Sequence, residues 1–104
     1  MVGKYKVVTL CGSTRFMHAF FEVQKRLTLE GIIVISIGLF GHAGDNEAWR
    51  DGTKEMLDDM HLRKIDMADE IYVINVGGYI GPSTRNEINY AKKTGKLVRY
   101  LEPV

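Results

Sequence analysis

At 104 residues, with 45% hydrophobic and 26% charged residues, the chain has the composition of one globular domain spanning 1–104 and not of a disordered segment. Its 14 Lys and Arg residues against 13 Asp and Glu residues give a net charge of +1, which excludes a strongly basic surface for nucleic-acid polymers and favours a small ligand. No apolar run approaches the ~20 residues of a membrane span, and residues 1–10 lack the apolar core of a secretory signal, so we expect a cytoplasmic protein with no membrane partner. The single Cys11 can form no intrachain disulfide, which agrees with a reducing compartment.

Four apolar runs alternate with three helical patterns along the chain. The runs are rich in β-branched and aromatic residues and lie at 5–10, 32–37, 71–76 and 97–101. Between them, apolar residues recur at helical spacing over 16–27, 57–68 and 84–94, and Gly31 and Gly95 can close the first and third helices. The βαβαβαβ order predicts an α/β fold of three layers, flavodoxin-like or Rossmann-like, with a small four-stranded parallel sheet in the strand order 2-1-3-4.

The first helix has a wide apolar face. Met17 and Phe21 lie beside its main apolar stripe, which consists of Phe16, Phe20, Val23 and Leu27. Either a broad core face or a contact between two copies of the chain explains this width. Because so small a sheet leaves apolar surface at its edges and on its helices, we expect a homo-oligomer, in the simplest case a dimer.

The turn after the first strand carries residues suited to phosphate. Gly12 permits close approach of a ligand to the backbone, and Ser13, Thr14 and Arg15 supply donors beside the start of a helix. The alternative is an ordinary helix N-cap with a solvated arginine. Neither a GxGxxG nor a P-loop motif is present, so we expect no dinucleotide site and no cofactor.

The connection after the second strand is long, and long loops in compact domains tend to be functional. Trp49 in this loop is a candidate for stacking on a nucleobase, and the alternative is a buried side chain that anchors the loop. The spacing of His42 and Asp45 relative to His61 matches no recognised metal site, so no metal is expected.

The second helix places a histidine on its apolar face. His61 is either a core histidine or a proton donor to a leaving group. Three aspartates of the same segment fall off the apolar face, and we expect them to be solvated: Asp58, Asp59 and Asp66.

The third strand is followed by a helix with one ambiguous carboxylate. The run at 71–76 is nearly continuous apolar sequence, which is typical of a strand buried on both faces of a parallel sheet, so its carboxyl end is a candidate site edge. Ser83 and Thr84 then offer hydroxyls to the first free amides of the helix. Thr84 and Glu87 fit the capping box T-x-x-E, in which Glu87 is only a cap. Alternatively Glu87 is a nucleophile, because the helix N-terminus stabilises an ionised carboxylate.

Three segments together carry a family resemblance: VTLCGSTR, DMADEIYVINV and GPSTRNEINYAKKTGK. They resemble the nucleoside 2-deoxyribosyltransferase superfamily, and among its characterised branches the 2′-deoxynucleoside 5′-monophosphate N-glycosidases. The resemblance implies that Glu87 attacks C1′ of a deoxyribose and forms a glycosyl-enzyme ester. It also implies that residues 12–15 hold the 5′ end of the substrate or its phosphate, with assistance from Ser83.

Three positions differ from the pattern of that family. Thr9 stands where a tyrosine is common, His61 where an aspartate is usual, and Gly81, at a substrate-binding position, where the family has Asp or Ser. Loss of a well-placed general acid typically lowers a rate by about 10²–10⁴-fold. His61 is the residue that can replace this acid.

Two functions from different classes follow from these residues. The first is an N-glycosidase or deoxyribosyltransferase-like enzyme that cleaves the base–sugar bond of a deoxynucleoside or its 5′-monophosphate, with Glu87 and His61 as catalytic residues. The second is a non-catalytic nucleotide-binding or sensing module, which the three departures favour. A structural or partner-binding domain is a third alternative, in which Glu87 merely caps a helix.

Overall fold

A four-stranded parallel sheet forms the centre of the protein in the computed structural model, which describes residues 3–104. The strands are β1 (Val7–Gly12), β2 (Ile33–Ile35), β3 (Glu70–Ile74) and β4 (Leu97–Tyr100). Their order across the sheet is β2-β1-β3-β4. The predicted α/β class, parallel pairing and strand order are confirmed. Met1 and Val2, which open the predicted 1–104 domain, lie outside the described residues.

Three α-helices cover the two faces of the sheet: α1 (Met17–Leu29), α2 (Thr53–Asp66) and α3 (Pro82–Lys93). The stripe of α1 packs with Val8 and Leu10 of β1 in one buried cluster. A second buried cluster joins Cys11 of β1 to Ile65 of α2 and Ile88 of α3. Successive strand residues point to opposite faces, so α1 lies on one face of β1 while α2 and α3 lie on the other.

Glycine closes α1 and α3, the two helices for which the sequence predicts a glycine cap. Gly31 has φ +83°, and the amide of Ile32 bonds back to the carbonyl oxygen of Leu27 at 3.1 Å. Gly95 has φ +79°, and Lys96 bonds back to Ala91 at 2.8 Å in the same way. Both patterns are Schellman caps, in which a left-handed residue without a Cβ closes the helix at no steric cost.

The strands begin and end at different residues from those predicted. The first strand was expected at 5–10 but occupies Val7–Gly12, because its last residues continue to pair with β3 as far as Gly12 and Ile74. The third strand ends at Ile74, earlier than predicted, since the Asn75 side chain instead exchanges two hydrogen bonds with the backbone of Glu102 at 3.0 and 2.8 Å. The longer β1 carries Cys11 and Gly12 to the carboxyl edge of the sheet.

Two structural observations concern the expected absence of a membrane partner and the expected homo-oligomer. Within residues 3–104, no helix combines the length and apolar character needed to cross a membrane. Phe21 is 50% exposed although its ring contacts Phe40 edge-on, with centroids 5.5 Å apart, while Met17 is partly buried against the α1 cluster. The predicted homo-oligomer stays a prediction.

Candidate functional site

A pocket of about 200 Å³ lies beyond the carboxyl ends of β1 and β3. These two central strands lead away to opposite edges of the sheet, and open α/β sheets bind ligands at such a switch point. All the residues predicted for catalysis or substrate binding line this pocket: Gly12, Ser13, Thr14, Arg15, Trp49, His61, Gly81, Ser83 and Glu87. Its volume lies below the roughly 300–1,000 Å³ of most small-molecule sites, which favours a small ligand.

Gly12 allows the two central strands to meet at the pocket. A Cβ at this position would lie 2.9 Å from the carbonyl oxygen of Ile74 and 3.0 Å from the Ile74 Cβ. Both atoms belong to the paired strand and cannot swing away as the end of a long side chain could. The predicted close approach at Gly12 is therefore an approach to β3, which shapes the pocket floor.

The turn after β1 is a short 3-10 helix at Thr14–Phe16, so α1 does not begin directly at the predicted phosphate loop. Ser13 caps this turn by accepting a hydrogen bond from the Arg15 amide at 3.3 Å, as in the alternative of an ordinary N-cap. The Thr14 hydroxyl bonds to the backbone amide and ring of His42. Arg15 remains exposed with its guanidinium 4.8 Å from the centroid of the Tyr79 ring, which leaves its N–H groups available to a ligand.

The long loop after β2 folds over one side of the pocket. Asp45 closes it by accepting a hydrogen bond from the Phe40 amide at 2.7 Å. The Trp49 indole donates to the carbonyl oxygen of Gly41 at 3.3 Å, yet the residue is 52% exposed. Trp49 therefore anchors the loop, as the alternative predicted, but it is not buried. Its ring is exposed to solvent at the pocket. Stacking on a base stays a prediction.

The capping box predicted for α3 does not form. The helix begins at Pro82, with Gly81 as the N-cap and no side-chain capping bond. Proline at the first helical position supplies the helical φ and has no amide to satisfy, so the helix starts two residues before the predicted Thr84. The predicted capping roles of Ser83, Thr84 and Glu87 are wrong. Glu87 therefore falls in the second turn, and its carboxyl group is directed into the pocket.

Glu87 meets His61 and Cys11 at the pocket floor. The Nε2 atom of His61 lies 3.8 Å from the Glu87 Oε1 atom and 3.3 Å from the Cys11 Sγ atom. Cys11 and His61 are buried, and the Glu87 side chain is 15% exposed. From the sequence, Cys11 was interpreted only as a sign of the redox compartment. Its alternation with Leu10 along β1 was the signal that placed it on the face covered by α2 and α3.

Burial keeps this cluster in its uncharged form. Burial, with a smaller contribution from the negative charge of Asp58, raises the pKa of Glu87 to about 8. Burial also lowers the pKa of His61 to about 4, and the positive charge of Lys64 acts in the same direction. The pKa of the Cys11 thiol is raised by burial and then by the neighbouring Glu87. Near pH 7 the cluster therefore consists of a protonated carboxyl group, a neutral imidazole and a thiol.

Comparison with known proteins assigns no family. No protein-family model matches the chain, and no curated protein matches it. The function is therefore inferred from the residues of the pocket.

Two charged residues of the pocket were missed in the sequence. Lys54 and Asp58 line it and form an ion pair, with Nζ and Oδ2 2.8 Å apart. Asp58 is exposed as expected, but it faces the pocket and not only bulk solvent. The signal was their spacing, because Lys54, Asp58 and His61 recur at i, i+4 and i+7 and so share one face of α2.

Proposed function

We propose that the protein is an N-glycosidase or deoxyribosyltransferase-like enzyme that cleaves the base–sugar bond of a deoxynucleoside or its 5′-monophosphate. One observation carries this proposal: the Glu87 carboxyl group, near the start of α3, caps nothing and lines the pocket together with the loop at 12–15. A carboxylate beside the anomeric carbon is the nucleophile of retaining glycoside chemistry. The resemblance of GPSTRNEINYAKKTGK to the deoxyribosyltransferase superfamily supports the same role for Glu87.

The reaction has two steps in which bonds and protons balance. In the first step an ionised oxygen of Glu87 attacks C1′ and forms a C1′–O ester bond while the C1′–N bond to the base breaks. The bonding electrons leave with the base nitrogen, which takes a proton from solvent water. In the second step water attacks C1′ and gives its second proton back to solvent, the ester bond breaks to restore the Glu87 carboxylate, and the sugar leaves with an anomeric hydroxyl group. A second base in place of water gives transfer instead of hydrolysis.

His61 is close enough to Glu87 to position it. Retaining glycosidases hold two carboxyl groups about 5–5.5 Å apart, with the glycosidic bond between them. The His61 Nε2 and Glu87 Oε1 atoms are 3.8 Å apart, which is longer than a hydrogen bond but too short for that bond to lie between them. We therefore infer that His61 orients the nucleophile, and that its predicted role as the acid for the leaving base is the less favoured one.

Two cationic side chains suit a substrate with a 5′-phosphate. Arg15 and Lys54 both line the pocket, and Arg15 presents the planar donor array that binds phosphate oxygens in pairs. Ser13 and Ser83 also line this pocket. We infer that the phosphate of the monophosphate lies by the loop at 12–15 and that C1′ lies above Glu87.

Release of free base is the direct test of this function. The protein is incubated with the four deoxynucleoside 5′-monophosphates and with the matching deoxynucleosides, and free base is separated by chromatography. We expect release from at least one of them, and a loss of roughly 10⁴-fold or more in Glu87→Gln, the scale for removal of a covalent nucleophile. Glu70→Gln, a change to a buried glutamate outside the pocket, is expected to keep the activity.

Two outcomes would reject the enzyme. One is no free base from any of the eight compounds across pH 6 to 9, and the other is equal release by Glu87→Gln and the unaltered protein. Circular dichroism of both variants establishes that each is folded under the assay conditions.

A non-catalytic nucleotide-binding module is the second candidate. The observation that favours it is the protonated state of Glu87 near pH 7, since its pKa is raised to about 8 and a protonated carboxyl group is a poor nucleophile. Such a module would be stabilised by a nucleotide without turnover, by about 2.7 kcal/mol at a hundredfold excess over Kd. A thermal shift with intact nucleotide recovered at the end distinguishes this module from the enzyme.

A further inference from the structure

Three different metal-ligating groups converge at the pocket floor. Cys11 is on β1, His61 on α2 and Glu87 on α3, and one ligand atom from each lies within 4.8 Å of the other two. The thiol sulfur is 3.3 Å from the His61 Nε2 atom, which is 3.8 Å from the Glu87 Oε1 atom. Because three separate elements of the fold supply these atoms, the cluster is built by the tertiary structure and not by local sequence.

We propose that Cys11, His61 and Glu87 form a binding site for Zn²⁺ whose fourth coordination position opens into the pocket. Bond lengths of about 2.3 Å to sulfur and about 2.0–2.2 Å to nitrogen and oxygen give ligand separations of roughly 3.4–3.6 Å around a tetrahedral ion. Two of the three separations, 3.3 and 3.8 Å, differ from this range by only a few tenths of an ångström, and the third, between the sulfur and a Glu87 oxygen, is at most 4.8 Å. Three protein ligands with one open position are the usual set of an accessible zinc site.

The donor types select the metal. Thiolate and imidazole ligands favour zinc and other late transition metals, whereas Mg²⁺ and Ca²⁺ take oxygen ligands. The sequence prediction of no metal considered His61 with His42 and Asp45, and the fold instead brings His61 to a cysteine and a glutamate that are distant along the chain. This site therefore replaces the predicted absence of a metal.

The surroundings leave the cluster without a bonded cation among the described residues. Lys64 donates to the carbonyl oxygen of Ser36 at 2.8 Å, and Lys54 pairs with Asp58 at 2.8 Å. Zn²⁺ would displace the thiol proton and the carboxyl proton to solvent, so that the ion, the thiolate and the carboxylate balance in charge.

Zinc binding has a consequence for catalysis, and this consequence rests on the proposed function. A carboxylate oxygen of Glu87 that coordinates Zn²⁺ cannot attack C1′, and an ion above the pocket floor occupies the position of the sugar. Zn²⁺ therefore inhibits base release, and removal of the ion restores it. The binding of Zn²⁺ itself does not depend on any activity of the protein.

Cobalt substitution tests the site directly. The protein is treated with a chelator, freed of it by gel filtration and titrated with Co²⁺, which reports tetrahedral geometry in the visible and thiolate ligation in the near ultraviolet. We expect both absorptions in the unaltered protein and their displacement by one equivalent of Zn²⁺ but not by Mg²⁺. Cys11→Ala should lose the thiolate absorption, and Glu87→Gln should weaken Co²⁺ binding by at least tenfold. His18→Gln, which changes an exposed histidine outside the pocket, should behave as the unaltered protein.

Each result distinguishes a metal-binding site from a neutral hydrogen-bonded cluster without metal affinity. The absence of thiolate absorption in the unaltered protein, or its persistence in Cys11→Ala, overturns the site. If Cys11→Ala does not fold, Glu87→Gln decides by the rise in Tm that Zn²⁺ causes, which the site requires to be smaller in the variant. Base release that is unchanged when Zn²⁺ is bound overturns the inhibition. Absence of base release from the metal-free protein rejects the proposed function, while the Co²⁺ spectra still decide the metal site.

Discussion

A glutamate lies near each end of the sheet, Glu70 on β3 and Glu87 on α3, and the two glutamates have opposite electrostatic surroundings. Glu70 begins β3 at the amino edge and bonds to Arg99 at 2.8 Å and to Lys6 at 3.1 Å. Burial alone would raise its pKa, but the hydrogen bonds from Arg99 and Lys6 lower it overall. Glu87 lies at the carboxyl edge beside His61, and its pKa is raised to about 8.

Burial raises the pKa of both carboxyl groups, and the two sites differ because two cations bond to Glu70 and outweigh burial there. The exposed fractions of the two side chains are similar, at 11% for Glu70 and 15% for Glu87. At the amino edge two cations bond to the carboxylate and tie β3 to its neighbours. At the carboxyl edge the carboxyl group contacts a neutral imidazole and a thiol, an arrangement that lowers stability and is typical of a functional site.

The largest expected effect is on the pH dependence of stability, with opposite trends at the two edges. Glu87→Gln should leave stability unchanged near pH 4 and raise it by several kcal/mol near pH 9, since a pKa unit corresponds to about 1.4 kcal/mol and the ordinary value is 4.5. The sign follows because unfolded Glu87 loses its proton above about pH 4.5, while the folded residue keeps its proton up to about pH 8. Urea unfolding of chelator-treated protein from pH 4 to 9 measures this.

Glu70→Gln should show the reverse. A lowered pKa contributes stability that is present above the unfolded value near 4.5 and is lost as the pH falls through the folded value. The variant should therefore lose about 1–3 kcal/mol at pH 7, the cost of breaking a buried charged hydrogen bond, and lose less at pH 3. If both glutamine variants change stability in the same direction at pH 7 to 9, the contrast between the two edges is refuted.

A smaller effect concerns the cations at the two edges. Those at the amino edge bond to Glu70, whereas Arg15 at the carboxyl edge stacks on Tyr79 and is proposed to bind the substrate phosphate. Arg15→Ala should raise KM for the monophosphate about 10–100-fold, equivalent to the 1.5–3 kcal/mol of a hydrogen bond to a charged group. KM for the deoxynucleoside should change little. Arg85→Ala, an exposed arginine of α3 outside the pocket, is the control.

Equal effects of Arg15→Ala on the two substrates would contradict the phosphate assignment. A rise in KM for both indicates that Arg15 shapes the pocket through Tyr79, and no rise for either indicates that the phosphate lies elsewhere. Initial rates over a range of substrate concentrations separate these results.

The fold was predictable because its signals are regular. Alternating apolar runs and helical patterns, together with right-handed crossovers, lead to the order β2-β1-β3-β4. The same rule brings the turns after β1 and β3 to one edge, and the predicted site residues meet there. Residue type and chain order were enough for this part of the site.

The remaining features depend on tertiary contacts that chain order does not show. The start of α3 depends on Pro82, which occupies the first helical position. The helix therefore begins before Thr84, and Glu87 does not form the predicted capping box. Cys11 joined the site because β1 continued beyond its predicted end, and the alternation of its residues then directed the thiol towards His61. The pKa of Glu87 depends on burial by three elements and on Asp58, and no spacing in the sequence encodes that sum.

The smallest expected effect tests Asp58, whose negative charge acts on the Glu87 carboxyl group. Asp58 raises the pKa of Glu87, and Lys54, which pairs with Asp58, lowers it. In Asp58→Asn the negative charge is gone and Lys54 is released from its partner, so both changes lower the pKa of Glu87. The profile of kcat/KM against pH, which reports the ionisation of the free enzyme, should move its midpoint below about 8.

Asp59→Asn is the matched control, because Asp59 is the adjacent exposed aspartate of α2, does not line the pocket and lies 4.0 Å from Arg63. An unchanged or higher midpoint in Asp58→Asn would mean that the profile reports a group other than Glu87. The midpoint should also stay above 4.5, the ordinary value for a glutamate, because burial is the larger cause of the shift and the substitution leaves it in place. A midpoint that moves only part of the way therefore separates the contribution of one neighbouring charge from the contribution of burial to the pKa of Glu87.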